Sequence, residues 1–271
     1  MAWLGGVLIG LLAGLAVAGI GGGLLLRRLA VARERLRQAD RLAELGTLTA
    51  GLAHEIKNPL STVQLNLQLM REDLGPDAPP RVTNRLATVT REAVRLGAIL
   101  DDFLRYAGRL ELQREWIDLN DLLADLVDFL APQAALTRVQ LRQAPPAGPL
   151  RACVDPRLIK QALLNLMLNA LQLMPNGGEL IVASAVEGDA KTGHAVLSIT
   201  DTGPGISPAD QAKVFDAYFS KRRGGTGLGL AMTQRIAREH GGRVTLASAV
   251  GKGSRFSVVL PLQPNGPCVT S

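Results

Sequence analysis

The chain has 271 residues, of which 47% are hydrophobic, so it can hold one large or two modest domains with an apolar core. Aromatic residues make up only 3%, so the core is expected to consist mostly of aliphatic side chains. The formal net charge of +6 could attract nucleic acid, but the basic residues are largely arginines scattered along helical stretches, with part of the excess in residues 27–41, and few aromatic side chains can stack on bases. Direct nucleic-acid binding is therefore disfavoured.

The first element is an uncharged apolar segment from Trp3 to Leu26. About 20 apolar residues span the hydrocarbon core of a bilayer, so this segment predicts a transmembrane helix. A signal peptide is the alternative, because "AVA" at 16–18 resembles a cleavage site, but the charges follow the apolar run and do not precede it. The positive-inside rule places the residues that follow in the cytoplasm. We therefore expect a single-pass protein of the inner (cytoplasmic) membrane.

Within this segment Gly6, Gly10 and Gly14 repeat every four residues. A stripe of small residues would let two membrane helices approach closely. The alternative is that glycine is simply common in membrane helices. The spacing favours neither explanation over the other.

Two helical patterns follow, in residues 30–74 and 82–107, separated by the turn sequence "GPDAPP". Pro59 removes a backbone donor within the first pattern and predicts a kink there. Two long helices joined by a short loop form an antiparallel hairpin. One hairpin cannot cover its own apolar stripe, so we predict that two copies pair into a four-helix bundle and the protein is a homodimer.

From residue 113 onward strands and helices are mixed, which predicts one α/β sandwich domain. A helix is expected to open after a strand-like piece, with Asp118 or Asn120 as its capping residue. The predicted strands are 139–143, 179–186, 194–201, 243–250 and 254–262, and the predicted helices are 156–173 and 227–240. The fold class is therefore α plus α/β, with a transmembrane helix in 1–28, the hairpin in 29–112, the sandwich in 113–262 and a disordered tail in 263–271.

The two cysteines, Cys153 and Cys268, lie far apart in the sequence. Their spacing fits no metal site, and one pair makes no disulfide framework. We expect both to be free thiols in a reducing compartment.

The first chemical motif is "LAHEIKNPL", residues 52–60, on the first hairpin helix. It sets His54, one of only three histidines, beside the carboxylate of Glu55, with Asn58 one helical turn later. The second motif is the pair Asn165 and Asn169, four residues apart and hence on one face of a helix. Asparagine is a poor interior helix former, so the pair needs a reason. Amide oxygens suit a phosphate-bound Mg²⁺.

Two glycine-rich segments complete the set. "DTGPGIS", residues 201–207, follows a strand and joins a carboxylate to a backbone with few side chains. "GGTGLGL", residues 224–230, opens a helix, where bare backbone N–H groups can bind an anion. Either segment alone could be an ordinary glycine-rich loop.

The order of these motifs resembles that of the sensor histidine kinases of two-component systems, over residues 40–262. The matching motifs are HEIKNPL as the H box, Asn165–Asn169 as the N box, Asp201–Ile206 and Gly225–Leu230 as glycine boxes, Phe215–Phe219 as the F box and Gly251–Phe256 as a third glycine box. Six ordered motifs at family-like spacing make coincidence a poor explanation. The lid is the segment between the F box and Gly225 and contains Lys221, Arg222 and Arg223. The F box has Asp216-Ala217-Tyr218 where Glu-Pro-Phe is common, so the geometry of this lid stays open.

The resemblance implies a membrane-anchored kinase that phosphorylates His54 with ATP and passes the phosphoryl group to an aspartate of a response regulator receiver domain. The same protein would also act as the phosphatase of this response regulator. Glu55 would accept a proton or hold the tautomer of the imidazole. Asn58 would orient water for dephosphorylation of the partner. The sandwich becomes the ATP-binding domain, with ATP and Mg²⁺ as cofactors. The implied nucleotide residues are Asn165 and Asn169 (also the metal ligands), Asp201 for the adenine amino group, Gly203, Gly205, Lys221, Thr226, Gly227, Leu228 and Gly229.

Two other classes stay as alternatives. One is an ATPase of the same nucleotide-binding fold that forms no phosphohistidine, such as a chaperone or topoisomerase type; the H box argues against it. The other is a membrane scaffold or phosphatase-only partner with a decayed nucleotide site. The intact Asn165, Asn169 and Asp201 argue against that class.

Overall fold

The structure, a computed structural model, describes residues 56–74, 78–108, 110–145, 148–188, 193–222, 225–262 and Cys268. The predicted membrane segment, His54 and Glu55 lie outside the described residues, as does the predicted tail apart from Cys268. None of the described helices combines the length and apolar composition needed to cross a bilayer.

The chain forms two compact units. The first includes the described residues 56–59 and 107–108, and the second comprises residues 60–106 together with everything described from 110 onward. All contacts discussed below lie within the second unit.

Two long helices form the predicted hairpin. Helix α1 covers the described residues 56–73 and stays helical through Pro59, and α2 runs from Pro80–Ala107. Gln64 donates from Nε2 to the carbonyl oxygen of Ala93 over 3.0 Å, while Leu60 lies beside Gly97, so the two helices are antiparallel. Large apolar side chains stay exposed on both helices, namely Val63, Leu65, Leu69, Met70, Val82, Val89, Val94 and Leu96.

The α/β part has a two-stranded and a five-stranded sheet. Strand β1 (Glu115–Asp118) pairs antiparallel with β3 (Arg151–Val154). The larger sheet has the order β2-β4-β5-β7-β6, in which β2 and β4 are parallel and the other pairs antiparallel. Its strands are β2 (Val139–Gln143), β4 (Gly178–Glu187), β5 (His194–Asp201), β6 (Arg243–Ser248) and β7 (Ser254–Pro261).

In the described residues of this part there are four helices: α3 (Leu119–Leu136), α4 (Pro156–Leu173), the short α5 (Pro208–Gln211) and α6 (Gly229–Glu239). Asp118 caps α3 by accepting from the backbone N–H of Asn120, and Asp155 caps α4 by accepting from that of Leu158. The apolar faces of α3, α4 and α6 share one core with the larger sheet. A helical hairpin followed by an α/β sandwich is therefore confirmed.

Several local predictions need correction. The structure adds β3 and α5, which the sequence patterns missed, and it ends β6 at Ser248, two residues before the predicted end. Helix α6 begins at Gly229, after the predicted start at 227. The expectation of free thiols is wrong, because Cys153 and Cys268 form a disulfide with their Cα atoms 5.7 Å apart. Cys268 is bonded to β3 across 115 positions of the sequence, a contact that spacing alone could not reveal.

Candidate functional site

A cavity of about 450 Å³ lies beside α4, the start of α6 and the segment between them. Its size is in the range of small-molecule sites. Among the predicted site residues, seven line it: Asn165, Asn169, Gly205, Lys221, Thr226, Gly227 and Gly229. Further lining residues are Asp102, Ser207, Asp210, Phe219 and Arg222. The cavity thus brings together residues from the first two glycine boxes and the N box.

The two asparagines of α4 face this cavity because the opposite face of the helix is in the core. Leu166, Met167 and Ala170 are buried, whereas Asn165 and Asn169 are only half-buried. Asn165 donates from Nδ2 to the carbonyl oxygen of Gly229 over 3.3 Å, so its Oδ1 remains as an acceptor. The two amide oxygens are ligands of the type that Mg²⁺ takes, and their placement fits a cation at the cavity wall.

Asp201 is the last residue of β5 and is 4% exposed. The strand alternates between half-buried and buried residues, which directs this carboxylate inward. Its Oδ1 accepts backbone N–H groups from Gly203 (2.9 Å) and Ser254 (3.2 Å). Burial raises the pKa of Asp201, although these two hydrogen bonds oppose the rise. Among the described residues no donor reaches Oδ2, so this oxygen can accept from a ligand amino group.

Asp201 and Gly203 do not line the cavity as the structure has it. The next glycine of the same box, Gly205, does. Gly203 instead donates to Asp201 and fixes the orientation of the carboxylate. The first glycine box therefore has two roles: Gly203 orients the carboxylate of Asp201, and Gly205 lines the cavity.

The second glycine box is a tight backbone crossing. Gly227 has φ +70°, and a Cβ atom there would lie 2.5 Å from the carbonyl carbon of Tyr218 and 2.8 Å from the nitrogen of Phe219. Tyr218 itself has φ +66° and donates its N–H to the carbonyl oxygen of Gly227 over 3.1 Å. The F box and the second glycine box are therefore in direct backbone contact at the two ends of the lid.

Helix α6 begins immediately after this crossing. Its capping position is the buried Leu228, whose apolar side chain cannot accept hydrogen bonds from the first amides of the helix. The N–H of Leu228 donates to Oγ1 of Thr226 over 3.4 Å. The remaining first-turn N–H groups are available to an anion at the cavity, as at other helix N-termini.

The lid carries a cation that is already paired. Lys221 donates from Nζ to Oδ2 of Asp210 over 2.5 Å, and the hydroxyl of Ser207 donates to the same oxygen. The hydrogen bond from Lys221 is the main reason why the pKa of Asp210 lies below its usual value. Arg222 lines the cavity beside this pair, whereas Arg223 lies outside the described residues.

One of the cavity residues that were not predicted comes from the helical hairpin. Asp102 lies on α2, and its Oδ2 accepts the hydroxyl of Thr226 over 2.9 Å. No sequence signal could have joined these two residues, which are 124 positions apart. On the hairpin itself Asn58 is an exposed residue of α1, while His54 and Glu55 fall outside the described residues.

Two family models match the chain. The model described as "His Kinase A (phospho-acceptor) domain" matches residues 44–111, and the model described as "Histidine kinase-, DNA gyrase B-, and HSP90-like ATPase" matches residues 154–264. These ranges contain the hairpin motif and the cavity residues of the sandwich, respectively.

Curated proteins with similar sequences include kinases of several names. Sensor histidine kinase ZraS of Klebsiella oxytoca is 34% identical over 241 residues, which cover 87% of this chain and 51% of that protein. Signal transduction histidine-protein kinase AtoS of Escherichia coli K12 is 32% identical, with 86% and 38% covered, and sporulation kinase E of Bacillus subtilis is 31% identical, with 86% and 30% covered. The chain thus spans about half or less of the length of these relatives.

Solved structures agree on the architecture. Full-length ShkA in complex with AMPPNP has a TM-score of 0.65 at 24% identity, covering 82% of this chain and 47% of that one, and at this identity it shows the fold alone. Histidine kinase ThkA in complex with the response regulator protein TrrA has a TM-score of 0.60 at 27% identity, covering 83% and 64%.

Proposed function

The chain belongs to the sensor histidine kinase family, and on this premise we propose that it phosphorylates its own His54 with ATP. The phosphoryl group then passes to an aspartate of a response regulator receiver domain. This is the activity of the protein-histidine kinases, EC 2.7.13.3. One observation carries the proposal: a phospho-acceptor match over residues 44–111, which contains His54, precedes an ATPase match over 154–264 in the same chain.

The proposed chemistry at the histidine is a single displacement. A neutral ring nitrogen of His54 attacks the γ-phosphorus, the bond to the bridging oxygen breaks, and ADP leaves. Glu55 takes the proton from the imidazole or holds the tautomer that presents the lone pair, a common role for a carboxylate beside a working histidine. In the second step the receiver's carboxylate attacks the same phosphorus and the imidazole leaves.

The nucleotide site proposed for ATP is the cavity together with Asp201. The free Oδ2 of Asp201 would accept the adenine amino group, and the open amides at the start of α6 would bind phosphate oxygens. Mg²⁺, when bound, would neutralise phosphate charge, and Asn165 and Asn169 would supply amide oxygens to it. The chain's own contribution is thus to orient the nucleotide and to balance its charge.

The decisive experiment is phosphorylation of the full chain in detergent with radiolabelled Mg-ATP. The wild type should acquire label that is labile in acid and stable in base, as phosphohistidine is, and His54→Gln should acquire none. His194→Gln is the matched control, because His194 lies at the start of β5 and belongs to none of the sequence motifs, and it should label normally. Label that survives in His54→Gln would overturn the proposal in favour of another acceptor. ATP hydrolysis without any phosphohistidine would favour the related ATPases.

A response regulator partner is supported by the complex of ThkA with TrrA, to which this chain is similar. We expect the protein also to dephosphorylate that partner through Asn58, which is exposed on α1. Asn58→Ala should then leave phosphorylation of His54 intact and prolong the lifetime of the partner's acyl phosphate. Equal lifetimes with both proteins would mean that Asn58 serves only the backbone before Pro59.

A homodimer is supported by the phospho-acceptor domain and by the apolar side chains that the described hairpin leaves exposed, such as Val63, Leu69 and Val89. A second copy would bury them in a four-helix bundle. Replacing these three residues with Ser should shift the protein towards monomers in sedimentation. A variant that stays fully dimeric would place the dimer contact elsewhere.

We also propose that residues 3–26 anchor the protein in the inner membrane, with the catalytic part in the cytoplasm. The anchored protein should resist extraction by high salt and alkali and dissolve only in detergent. Replacing Gly6, Gly10 and Gly14 with Leu keeps the segment apolar and blocks close helix approach. If self-association of the segment in a membrane reporter assay is unchanged, the stripe reflects composition alone.

A further inference from the structure

A carboxylate from the helical hairpin reaches the glycine box of the nucleotide cavity. Asp102, on α2, is half-buried and lines the cavity together with Asn165, Asn169 and Gly229. Its Oδ2 accepts the hydroxyl of Thr226 at 2.9 Å, and the Thr226 oxygen in turn accepts the N–H of Leu228. The two donors form a short chain that ends on the negative charge of Asp102.

A second contact holds this end of α2 in place. Arg235 of α6 donates from its guanidinium to the backbone carbonyl oxygen of Tyr106, one helical turn beyond Asp102. The position of Asp102 at the cavity therefore does not depend on the Thr226 hydrogen bond alone.

The hydroxyl group that donates to Asp102, and the amide that donates to this hydroxyl, lie at the position where a bound phosphate group would need donors. Thr226 precedes the crossing at Gly227, and the amide of Leu228 directly precedes the open first turn of α6. An anion bound at this turn and the carboxylate of Asp102 would compete for the same hydroxyl. They would also repel each other, because both are negative and the half-buried site screens charges less than water does.

We propose that Asp102 is an internal anion that competes with the phosphate groups of the bound nucleotide for the glycine box. The carboxylate disfavours the nucleotide in proportion to its phosphate charge. By thermodynamic reciprocity, a bound triphosphate weakens the contact between α2 and the glycine box by the same factor. Occupancy of the cavity is thereby transmitted to the hairpin. This inference rests on the proposed function, because it takes a nucleotide as the ligand.

The test is a charge series of ligands on a neutral isostere. Asp102→Asn keeps the shape of the side chain and an oxygen that can accept from Thr226, but it removes the charge. Affinities of the full chain for adenosine, ADP and ATP are measured by calorimetry with and without Mg²⁺. Without Mg²⁺ the variant should bind ATP about fivefold more tightly, ADP about twofold more tightly and adenosine with unchanged affinity. Added Mg²⁺ and high salt should reduce the gain.

The neighbouring Asp101→Asn is the matched control, because it removes the same charge from the preceding position of α2 and this residue does not line the cavity. It should leave all three affinities unchanged. An equal change in the affinities for adenosine and ATP in Asp102→Asn would mean that the residue has only a structural role. No change in any affinity would mean that Asp102 does not influence nucleotide binding. Weaker ATP binding only in the presence of Mg²⁺ would make it a cation ligand, which also overturns the proposal. If the wild type binds no nucleotide, the proposed function itself fails.

Discussion

Gly227 allows a direct test of the crossing between the F box and the glycine box. It has φ +70°, and any Cβ atom would lie 2.5–2.8 Å from backbone atoms of Tyr218 and Phe219. Gly227→Ala therefore carries two costs. The left-handed conformation costs about 1–2 kcal/mol for an L-residue. The contact also cannot be relieved by a side-chain rotation, because the atoms approached belong to the backbone, so the lid and the start of α6 must separate.

Gly241→Ala separates these two costs, because Gly241 belongs to none of the motifs. It has φ +74°, and the nearest atom to a Cβ there, Cγ of Pro261, lies at an ordinary contact distance of 3.6 Å. This variant should lose only the conformational part, about 1–2 kcal/mol of unfolding free energy, and keep its affinity for ATP. Gly227→Ala should lose at least as much stability and in addition bind ATP at least about tenfold more weakly, since each factor of ten in affinity is about 1.4 kcal/mol.

The two variants are compared with the wild type by urea unfolding and by titration with a fluorescent ATP analogue. Wild-type affinity in Gly227→Ala would refute the view that the crossing shapes the phosphate end of the cavity. An equal loss of affinity in both variants would show that backbone strain anywhere in the sandwich is enough, and the local argument would fail.

The remaining predictions concern the nucleotide residues and the disulfide. Asn169→Ala and Asp201→Ala should each abolish labelling by ATP while the dimer persists in sedimentation, because neither residue belongs to the hairpin; unchanged ATP affinity in both would remove their assignment. Reducing the Cys153–Cys268 bond, which closes a loop across 115 positions, should lower the free energy of unfolding by about 5 kcal/mol in the chain-entropy account. Cys153→Ser, which cannot respond to dithiothreitol, is the control, and identical unfolding curves of the wild type with and without reductant would contradict the contribution.

The long elements were predictable because their burial patterns are regular. The predicted strand 194–201 coincides with β5, in which half-buried and buried residues alternate along all eight positions. Helix α4 was predicted with its observed ends, since Asp155 caps it and Pro156 occupies its first turn. Strand β3 and helix α5 have only four residues each, too few for a period to emerge.

The ends of elements depended on backbone geometry that the pattern does not contain. Residues 249 and 250 are apolar and extend the sequence pattern beyond the end of β6, but Gly251 and Gly253 adopt positive φ and turn the chain there. Ser248 already lies opposite Ser254 in the antiparallel pair of β6 and β7, so the strand pairing ends at these two residues. The start of α6 is delayed in the same way by the positive φ of Gly227.

The site was predictable wherever its residues share one element. Asn165 and Asn169 were placed on one face by their spacing alone, and both line the cavity. Contacts between distant elements were not predictable. The pairing of Lys221 with Asp210 and that of Thr226 with Asp102 arise because the chain folds back on itself, and neither acidic residue belongs to a motif.

His240 shows how a histidine outside the motif contributes to stability. It is 5% exposed, its Nε2 accepts the backbone N–H of Asp155 over 2.9 Å, and its Nδ1 lies 2.8 Å from the carbonyl oxygen of Ile236. The neutral tautomer with the proton on Nδ1 satisfies both contacts. A protonated ring would turn Nε2 into a donor facing another donor.

Burial lowers the pKa of His240, although the hydrogen bond to Ile236 opposes the shift. As the pH falls below about 6.5, the unfolded chain therefore binds a proton that the folded chain refuses. This group's contribution to stability is complete above that pH and is lost on acidification, by at most about 1.4 kcal/mol for each pH unit. The loss stops where the folded chain also becomes protonated.

His240→Gln can keep an acceptor for Asp155 and a donor for Ile236 but cannot titrate. Urea unfolding at pH 7.5 and pH 5.5 should show a smaller loss of stability in this variant than in the wild type. The other two histidines are present in both proteins, so the difference between the two losses isolates His240. Equal losses of stability in the two proteins would mean that the buried ring is protonated as easily as in water. That result would contradict the argument that the N–H of Asp155 opposes protonation of Nε2.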